Sequence, residues 1–264
     1  MPLWACFRMA GALPAARGLL HNAPIPSPFP PLYLAFPAMT PHTVRIWDLP
    51  TRLFHWALAA CVIGLVITAK VGGNAMEWHF RLGYAVLALL VFRVVWGLIG
   101  GRWSRFSAFL YSPARLVRYL RGNAHPEDSA GHSPLGALSV FALLAVLGAQ
   151  VGTGLLSDDE IAFAGPLTRF VSNTVVGQAT GYHKEIGQYL VLGLVALHVL
   201  AVLFYVVVRK HTLVRPMLGG DKALPVPAAP SRDDALSRTL ALVVLAGSAG
   251  LAWWVSSLAM AAGF

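Results

Sequence analysis

Charge is scarce in this sequence. Only 12% of the 264 residues are charged, whereas 57% are apolar. Soluble domains carry about 25% charged residues, so this scarcity excludes an ordinary soluble domain and indicates an integral membrane protein. Cysteine is also scarce, since only Cys6 and Cys61 occur, and there is no C-x-x-C-H motif. The absence of that motif excludes covalently attached c-type haem.

Acidic residues are fewer than basic ones, 11 against 20, which gives a formal net charge of +9. A basic protein that binds nucleic acid concentrates its charge in one patch or stripe. Here the basic residues instead cluster in the segments between alternate apolar runs, as the positive-inside rule describes. The pattern therefore argues against nucleic acid as a partner and predicts that the chain lies in a lipid bilayer.

The first 43 residues form a proline-rich tail. Six prolines between residues 24 and 37 forbid a continuous helix there. The segment also fits a secretory signal peptide poorly. Two interpretations remain open, a disordered tail and a translation start at Met39, and neither assigns a function to this segment.

Five apolar segments follow the tail, and each has about the 17–25 residues that a helix needs to cross a hydrocarbon core. In lipid every backbone polar group must be satisfied within its own segment, so the spans are predicted to be helices and the fold class all-α. The predicted spans cover residues 53–69, 80–99, 134–156, 186–208 and 240–261.

The loops predict how the chain is oriented. Arginine and lysine fill the lead-in before the first span and the connections at 100–133 and 209–239. The connections at 70–79 and 157–185 are short or carry acidic residues. The N-terminus is therefore expected in the cytoplasm and the C-terminus, after five crossings, in the periplasm.

One cytoplasmic connection contains the sequence SPARLVRYLRG, which begins at Ser112. A serine followed by proline is a common helix start, so the segment can form a helix that lies on the membrane surface. A plain basic loop explains the same residues equally well.

Four histidines lie inside or at the ends of the apolar segments: His55, His79, His183 and His198. Ionisable side chains at membrane depth are costly and usually functional. His198 is fifteen residues past His183, hence about 22 Å deeper and only about 60° away around the helix. His55 lies equally far from the outer end of its span. The matching depths predict two pairs, His55 with His198 and His79 with His183, each suited to the two axial positions of a haem iron. Taken singly, a histidine near a helix end is more simply explained as a polar residue at the membrane interface, whereas His198 lies in the middle of its segment.

A short repeat surrounds two of these histidines. Residues 78–83 read WHFRLG and residues 182–187 read YHKEIG, so Gly83 and Gly187 each follow a histidine by four residues. A residue four positions on lies one turn away on the same face, where a flat macrocycle needs a small neighbour. We therefore include both glycines among the candidate cofactor-binding residues, although close helix packing is the commoner use of glycine in membranes.

Arg93 is the other costly residue, set in the second span about 21 Å deeper than His79. It can pair with a haem propionate, because a guanidinium–carboxylate pair offsets burial, or reach out to the lipid headgroups. Three further basic residues adjoin the histidines and can hold other propionates or act as interfacial anchors: Arg52, Arg81 and Lys184. Gln150 is the one strong polar side chain of the third span.

These residues resemble the bacterial cytochrome b561 family, which includes the b-type cytochrome subunits of nickel-iron hydrogenases. The resemblance covers residues 44–218 and rests on DLPTRLFHW (48–56), WHFRLGY (78–84), YHKEIGQYLVLGLVALHV (182–199) and VVRKHTLVRPML (207–218). It implies a bundle of four transmembrane helices that holds two b haems through the four histidines named above. A linker (219–235) and an additional transmembrane helix (236–264) then follow.

The resemblance also implies electron transfer in the bacterial inner membrane, between quinone or quinol and a redox partner. Our leading hypothesis is a di-haem cytochrome that serves a periplasmic protein such as a c-type cytochrome. It is not expected to be an enzyme in its own right, because no catalytic acid or base stands out, although quinone oxidoreductase activity stays open. The fifth span carries GSAG at 247–250, which suggests close helix contact in a homodimer or a larger complex.

Two alternatives remain. The chain can be the membrane anchor of a hydrogenase or dehydrogenase, which differs from the leading hypothesis only in its partner. It can also be a proton or metal transporter that uses its histidines. The transporter is disfavoured because the predicted spans contain no Asp or Glu, no inverted repeats and no helix broken at the midplane.

Overall fold

A computed structural model describes residues 42–123, 125, 128 and 130–260. Almost all of the predicted proline-rich tail, and with it Cys6, lies outside these residues. Most of these residues are helical. The elements, in chain order, are β1 (His42–Arg45), α1 (Leu49–Val71), α2 (Ala75–Ile99), α3 (Pro113–Leu120), α4 (Pro134–Gly154), α5 (Asn173–Gly181), α6 (Gln188–Val207), α7 (Val214–Gly219), β2 (Asp221–Leu224) and α8 (Ala235–Met260).

Five helical segments of the described chain are long and apolar enough to cross a membrane. Four of them are single helices: α1, α2, α4 and α8. The remaining segment, Asn173–Val207, joins α5 to α6 through the π-helical turn Tyr182–Gly187. The prediction of five spans therefore agrees with the structure, but the fourth begins thirteen residues earlier than residue 186. Ser172 caps the start of this helix by accepting a hydrogen bond from the Val175 N–H. Because the first turns of the helix are polar, hydropathy did not include them in the predicted span.

Local signals explain most of the other helix ends. The side chain of Asp48 accepts a hydrogen bond from the Thr51 N–H and begins α1, with Pro50 in its first turn. α1 ends at Gly72, whose φ of 67° lies in the left-handed region that favours glycine. Ser112 caps α3 in the same way as Asp48 caps α1, so the segment that begins there is a helix rather than a loop.

We call the end of the bundle where α1 begins and α2 ends the lower end, and the opposite one the upper end. α2 is the central helix, because it packs against α1, α4 and α8, while α4 also packs against α6. One apolar cluster lies in the upper half and consists of Val86, Leu90, Leu147 and Val191. Another lies lower and includes the fifth span: Phe54, Phe92, Trp96 and Ala241.

The lower end carries a small structure that the sequence did not predict. β1 pairs antiparallel with β2, in the register His42 to Leu224 and Arg45 to Asp221. Behind the strands lies an apolar cluster, which we call the lower cap, formed by Val44, Ile46, Trp47, Ala130 and Leu224. The predicted linker is therefore partly ordered, and it covers the ends of α1 and α2. Strands of four residues are too short to give a clear alternating pattern.

Candidate haem-binding sites

His55 and His198 lie together in the lower half of the bundle, and we call them the lower pair. His55 is on the second turn of α1 and His198 is in the middle of α6. The centres of their imidazole rings are 6.3 Å apart, and the ring planes make an angle of 52°. Both residues are half-buried.

His79 and His183 form a second cluster near the upper end, the upper pair. His79 is in the first turns of α2, and His183 is in the π-helical turn before α6. Their ring centres are 6.2 Å apart and their planes are nearly perpendicular, at 88°. The structure thus brings the four histidines together as two pairs with the same partners that the depths suggested.

The spacing within each pair can be tested against a bound iron. An imidazole nitrogen lies about 2.0 Å from a metal and about 1.1 Å from its own ring centre, so two rings on opposite sides of one iron lie about 6.2 Å apart. The observed values are 6.3 and 6.2 Å. In the separation of their ring centres, both pairs therefore match two imidazoles on one iron. No group of three or more His, Cys, Asp or Glu side chains that could hold a metal ion occurs in the described residues, and a bis-histidine haem needs only two.

The upper pair is oriented by backbone carbonyls. Nδ1 of His79 lies 3.1 Å from the Leu65 carbonyl oxygen of α1, and Nδ1 of His183 lies 2.9 Å from the Gln150 carbonyl oxygen of α4. Because a carbonyl only accepts, Nδ1 must carry the proton in both rings, which leaves Nε2 with a free lone pair. Metal-binding histidines commonly have this arrangement, in which one ring nitrogen binds the metal and the other donates a hydrogen bond to a carbonyl or carboxylate oxygen.

The π-helical turn around His183 is stabilised from α4. A π-turn leaves backbone groups without their usual helical partners. The Gln150 side-chain amide donates to the His183 carbonyl at 3.1 Å. The backbone carbonyl of Gln150 in turn accepts from the His183 imidazole. Gly154, one turn further along α4, leaves room for the ring, since a Cβ there would lie 2.8 Å from Cε1 of His183.

The lower pair lacks comparable support. Nδ1 of His55 is buried and has no hydrogen-bond partner among the described residues. Its ring packs edge-on against Trp56, with ring centres 5.1 Å apart. A buried unpaired nitrogen is rare in native proteins and usually marks a place where something else binds or where strain is tolerated.

The two glycines of the short repeat have different surroundings. A Cβ at Gly83 would meet nothing within 4 Å, so the space beside His79 is open. At Gly187 a Cβ would collide with the side chain of Gln150. Glycine at 83 thus lies beside open space, whereas glycine at 187 makes room for a protein side chain.

Arg93 is buried and points to the lower end. Its Nη1 donates to the Ser104 carbonyl at 3.1 Å, and its guanidinium lies 4.7 Å from the centre of the Phe106 ring. Arg52 donates to the Leu218 carbonyl, and its Nε is buried without a partner in the described chain. Arg81 pairs with Glu77 on the surface of α2, and Lys184 is exposed. A role for any of them with propionates stays a prediction.

Sequence reasoning missed two residues beside these pairs, Gly154 and Thr68. Gly154 had a readable signal, because it lies four residues after Gln150 and hence on the same face of α4. Thr68, whose hydroxyl lies 3.3 Å from Nδ1 of His79, gave none. A fifth histidine, His132 in the basic connection before α4, gave no signal either, and its ring lies between Trp47 and Phe109, with centres 4.7 and 4.4 Å away.

Comparison with known proteins gives a consistent result. The family model described as prokaryotic cytochrome b561 matches residues 46–220, which include all four histidines and exclude α8. The "Probable Ni/Fe-hydrogenase B-type cytochrome subunit" of Azotobacter vinelandii is 26% identical over 211 residues, which cover 67% of this chain and 87% of that protein. Its counterpart for hydrogenase 1 of Escherichia coli K12 is 23% identical over 210 residues, covering 66% and 88%. That of Rhodobacter capsulatus is 20% identical over 213 residues, covering 68% and 81%. No solved structure matches.

Proposed function

The chain belongs to the prokaryotic cytochrome b561 family, and on this premise we propose that it carries two b haems and passes electrons across the cytoplasmic membrane. Membership makes it an integral membrane protein and a b-type cytochrome. The number of haems, their ligands and their redox partners are our proposal. In a protein of this kind the cofactor performs the redox chemistry, and the chain fixes its position and potential.

The two histidine pairs are the observation that carries this proposal. Each pair has the separation that two imidazoles take on opposite sides of one iron. His183 and His198 are on one continuous helix, fifteen residues apart. About 22 Å therefore separates the two levels, most of the about 30 Å of a hydrocarbon core. Two haems at these levels would form an electron path between the two membrane surfaces.

The orientation follows from charge. The basic connections all belong to the lower end, so we assign this end to the cytoplasm and the upper end to the periplasm. The lower haem then lies near the cytoplasmic surface and the upper haem near the periplasmic one. Quinone or quinol would exchange electrons with one haem and the periplasmic partner with the other.

A hydrogenase is the second candidate partner, besides a c-type cytochrome. The observation in its favour is that the curated relatives are named as cytochrome subunits of Ni/Fe-hydrogenases. The match with the family stops before α8, however. We therefore keep a periplasmic c-type cytochrome as the leading partner and treat a hydrogenase or dehydrogenase complex as the alternative.

Haem analysis of the purified full-length chain tests the core of this proposal. We would express it in a bacterium with ample haem supply, purify it in detergent, and record reduced-minus-oxidised spectra with pyridine haemochrome quantification. We expect two b haems per chain. A colourless protein, or one with a single haem, would contradict the di-haem assignment.

The partners need a separate measurement. Stopped-flow reduction of the oxidised holoprotein by a menaquinol or ubiquinol analogue should reduce both haems. Subsequent oxidation by a soluble c-type cytochrome would support the leading partner. Reduction by hydrogen in native membranes, lost when a neighbouring hydrogenase gene is deleted, would support the alternative.

A further inference from the structure

The connection between α2 and α4 forms an open cavity of about 200 Å³ at the lower end. Two arginines, two aromatic residues and an alanine line it: Arg102, Trp103, Ala108, Tyr111 and Arg115. The span α2 ends at Ile99, three residues before this lining begins, so the cavity lies where the helix leaves the hydrocarbon core. Tryptophan and tyrosine are enriched at this level of a membrane protein, beside the lipid headgroups.

The aromatic walls of this cavity are fixed from inside the protein. Nε1 of Trp103 donates to the Ala229 carbonyl at 2.9 Å, and its ring packs on the lower cap. The Tyr111 hydroxyl donates to the His132 carbonyl at 2.7 Å. Because both rings already have their hydrogen bonds, a ligand in the cavity would not have to order them, which reduces the cost of binding.

The charge in the cavity is positive. Nε of Arg115 donates to the Asp128 carboxylate at 2.8 Å and Nη2 donates to the same oxygen, so Nη1 is left for another acceptor. Arg102 is exposed, its guanidinium lies 5.8 Å from the centre of the Trp103 ring, and no carboxylate pairs with it among the described residues. Two guanidinium groups and one carboxylate leave one positive charge, which favours an anion. Phosphate oxygens match the donor fork of a guanidinium group.

The surface beside the cavity combines cations with exposed apolar side chains. Three more arginines of the connection have no carboxylate partner in the described part of the chain: Arg105, Arg118 and Arg121. Three apolar side chains nearby in the sequence are 74, 44 and 61% exposed, respectively: Leu110, Val117 and Leu120. A surface of this kind places its apolar side chains at the boundary of the acyl chains and its cations at the phosphates. A soluble anion would account for the arginines but not for the apolar side chains, so we assign the anion to a lipid.

We propose that the cavity binds the headgroup of an anionic phospholipid, with its phosphate between Arg102 and Arg115 and its acyl chains beside Leu110. A bound lipid would hold the connection between α2 and α4 at the membrane surface and so stabilise the lower end. On the orientation proposed above, this lipid belongs to the cytoplasmic leaflet. The inference goes beyond the proposed function and needs neither two haems nor a redox partner.

Lipid titration of the purified full-length holoprotein tests the proposal. Native mass spectrometry in a neutral detergent counts the phosphatidylglycerol bound per chain as its concentration rises, with phosphatidylcholine as the lipid without net charge. We expect one phosphatidylglycerol to bind at least about tenfold more tightly than phosphatidylcholine, because a charge-assisted hydrogen bond has about this effect. Arg102→Gln should weaken the binding of this one lipid by about the same factor.

Two further variants separate a defined site from general charge. Arg209→Gln removes the same charge from an exposed arginine at the same end that does not line the cavity, so it should weaken binding less than about twofold. Arg102→Lys keeps the charge but loses the forked donor, and should recover part of the affinity. Since both arginines are exposed, all three variants should keep the haem content and melting temperature of the wild type.

Inorganic phosphate and glycerol phosphate distinguish the source of the anion, since they carry the charge without acyl chains. Each should bind at least about tenfold more weakly than phosphatidylglycerol. If either bound as tightly as the lipid, the ligand would be a soluble phosphate compound and the lipid assignment would be overturned. Equal losses in Arg102→Gln and Arg209→Gln, or no loss in Arg102→Gln, would overturn the site itself. A holoprotein with fewer than two haems would refute the proposed function and leave this inference standing.

Discussion

The two histidine pairs have nearly the same ring separation but are supported in different ways. In the upper pair, both Nδ1 atoms donate to backbone carbonyls, of Leu65 and Gln150. In the lower pair, Nδ1 of His55 is buried without a partner in the described chain. The upper connection between α1 and α2 is a turn of three residues, whereas segments from distant parts of the sequence cover the lower end.

This difference shows two ways of holding one kind of ligand. A backbone carbonyl is present whatever the side chain is, so the imidazoles of the upper pair are oriented mainly by backbone groups of α1 and α4. The lower end is instead closed by side chains of β1, of the connection after α2 and of the segment after α6. Replacements at the lower end should therefore affect the lower haem and leave the upper haem intact, and the predictions that follow test this separation.

Removal of one ligand should have the largest effect. Both His183→Ala and His198→Ala should reduce the haem content from two per chain to one, because an iron with a single imidazole loses half of its protein ligands. Pyridine haemochrome quantification measures the content, and His211→Ala, which removes a histidine stacked on Tyr205, is the control. If either variant retained two haems, the pairing of the ligands would be wrong.

Asp48 is the residue whose loss should most affect the lower end. Its buried carboxyl group accepts hydrogen bonds from the Thr51 N–H at 2.8 Å, the Ser104 hydroxyl at 2.7 Å and the Trp96 indole at 3.3 Å. Asp48→Ala leaves the Thr51 N–H and the Trp96 indole unpaired and leaves the Ser104 hydroxyl only the Thr51 hydroxyl as a partner, so we expect a loss of about 3–5 kcal/mol of local stability. The temperature at which the lower haem is released should fall, as followed by its absorbance in the His183→Ala chain.

The control for Asp48 lies at the upper end. Asp159 accepts from the backbone N–H groups of Ile161, Ala162 and Phe163 in an exposed turn. Asp159→Ala should therefore cost only about 1 kcal/mol, the usual value of such a cap. If Asp48→Ala lowered the release temperatures of both haems equally, the two ends would not be independent.

Acid should weaken the lower end through Asp233. Burial alone would raise the pKa of Asp233, but Arg238, the Leu49 N–H and Arg45 together hold it below its usual value. A lowered pKa in the folded state means that the carboxylate stabilises the fold above the unfolded value of about 3.9, and that this contribution is lost as the pH falls below it. For partly exposed ion pairs we expect about 1 kcal/mol.

The measurement is the release temperature of the lower haem between pH 5 and pH 3. Asp233→Asn should lower this temperature at pH 7 and flatten its decline with acid. Because acid also protonates histidine ligands, the comparison is between Asp233→Asn and its parent at each pH. If the release temperature fell equally steeply with acid in both proteins, the Asp233 carboxylate would contribute nothing to the acid sensitivity of the lower end.

Gln150→Leu should have the smallest effect. It removes the hydrogen bond to the His183 carbonyl but keeps the backbone carbonyl that orients the imidazole. We expect a loss of about 0.5–1.5 kcal/mol, seen as earlier release of the upper haem only. Thr153→Ala is the control, since the Thr153 hydroxyl bonds within α4. A large change in the lower haem would contradict the separation of the two sites.

The parts of this structure that depend on periodicity and depth were predictable from the sequence. The five spans follow from hydropathy, and the matching of His55 with His198 follows from a constant rise along a helix. The start of the fourth span was wrong, because residues 173–181 are polar enough to read as a connection. The π-turn at His183 was not predictable either, since it depends on hydrogen bonds from a different helix.

The contacts at the lower end illustrate a second limit. His132 precedes a helix in a basic segment, and nothing in its neighbours along the chain indicates that Trp47 and Phe109 enclose it. Such contacts join residues far apart in sequence, and a short strand such as β1 carries no periodic signal. Residues whose surroundings are formed by distant parts of the chain are therefore the ones that cannot be recognised from a single sequence.

The strand pair at the lower end has a consequence for how the protein is made. Arg45 of β1 and Asp221 of β2 form a salt bridge across 176 residues of chain. At a synthesis rate of about 5–20 residues per second, the ribosome finishes β2 about 9–35 s after β1. During this time α1 and α2 can already be inserted while their lower ends remain uncovered. On the proposed function, the lower haem would therefore reach its site before the last segment closes over it, without any later unfolding.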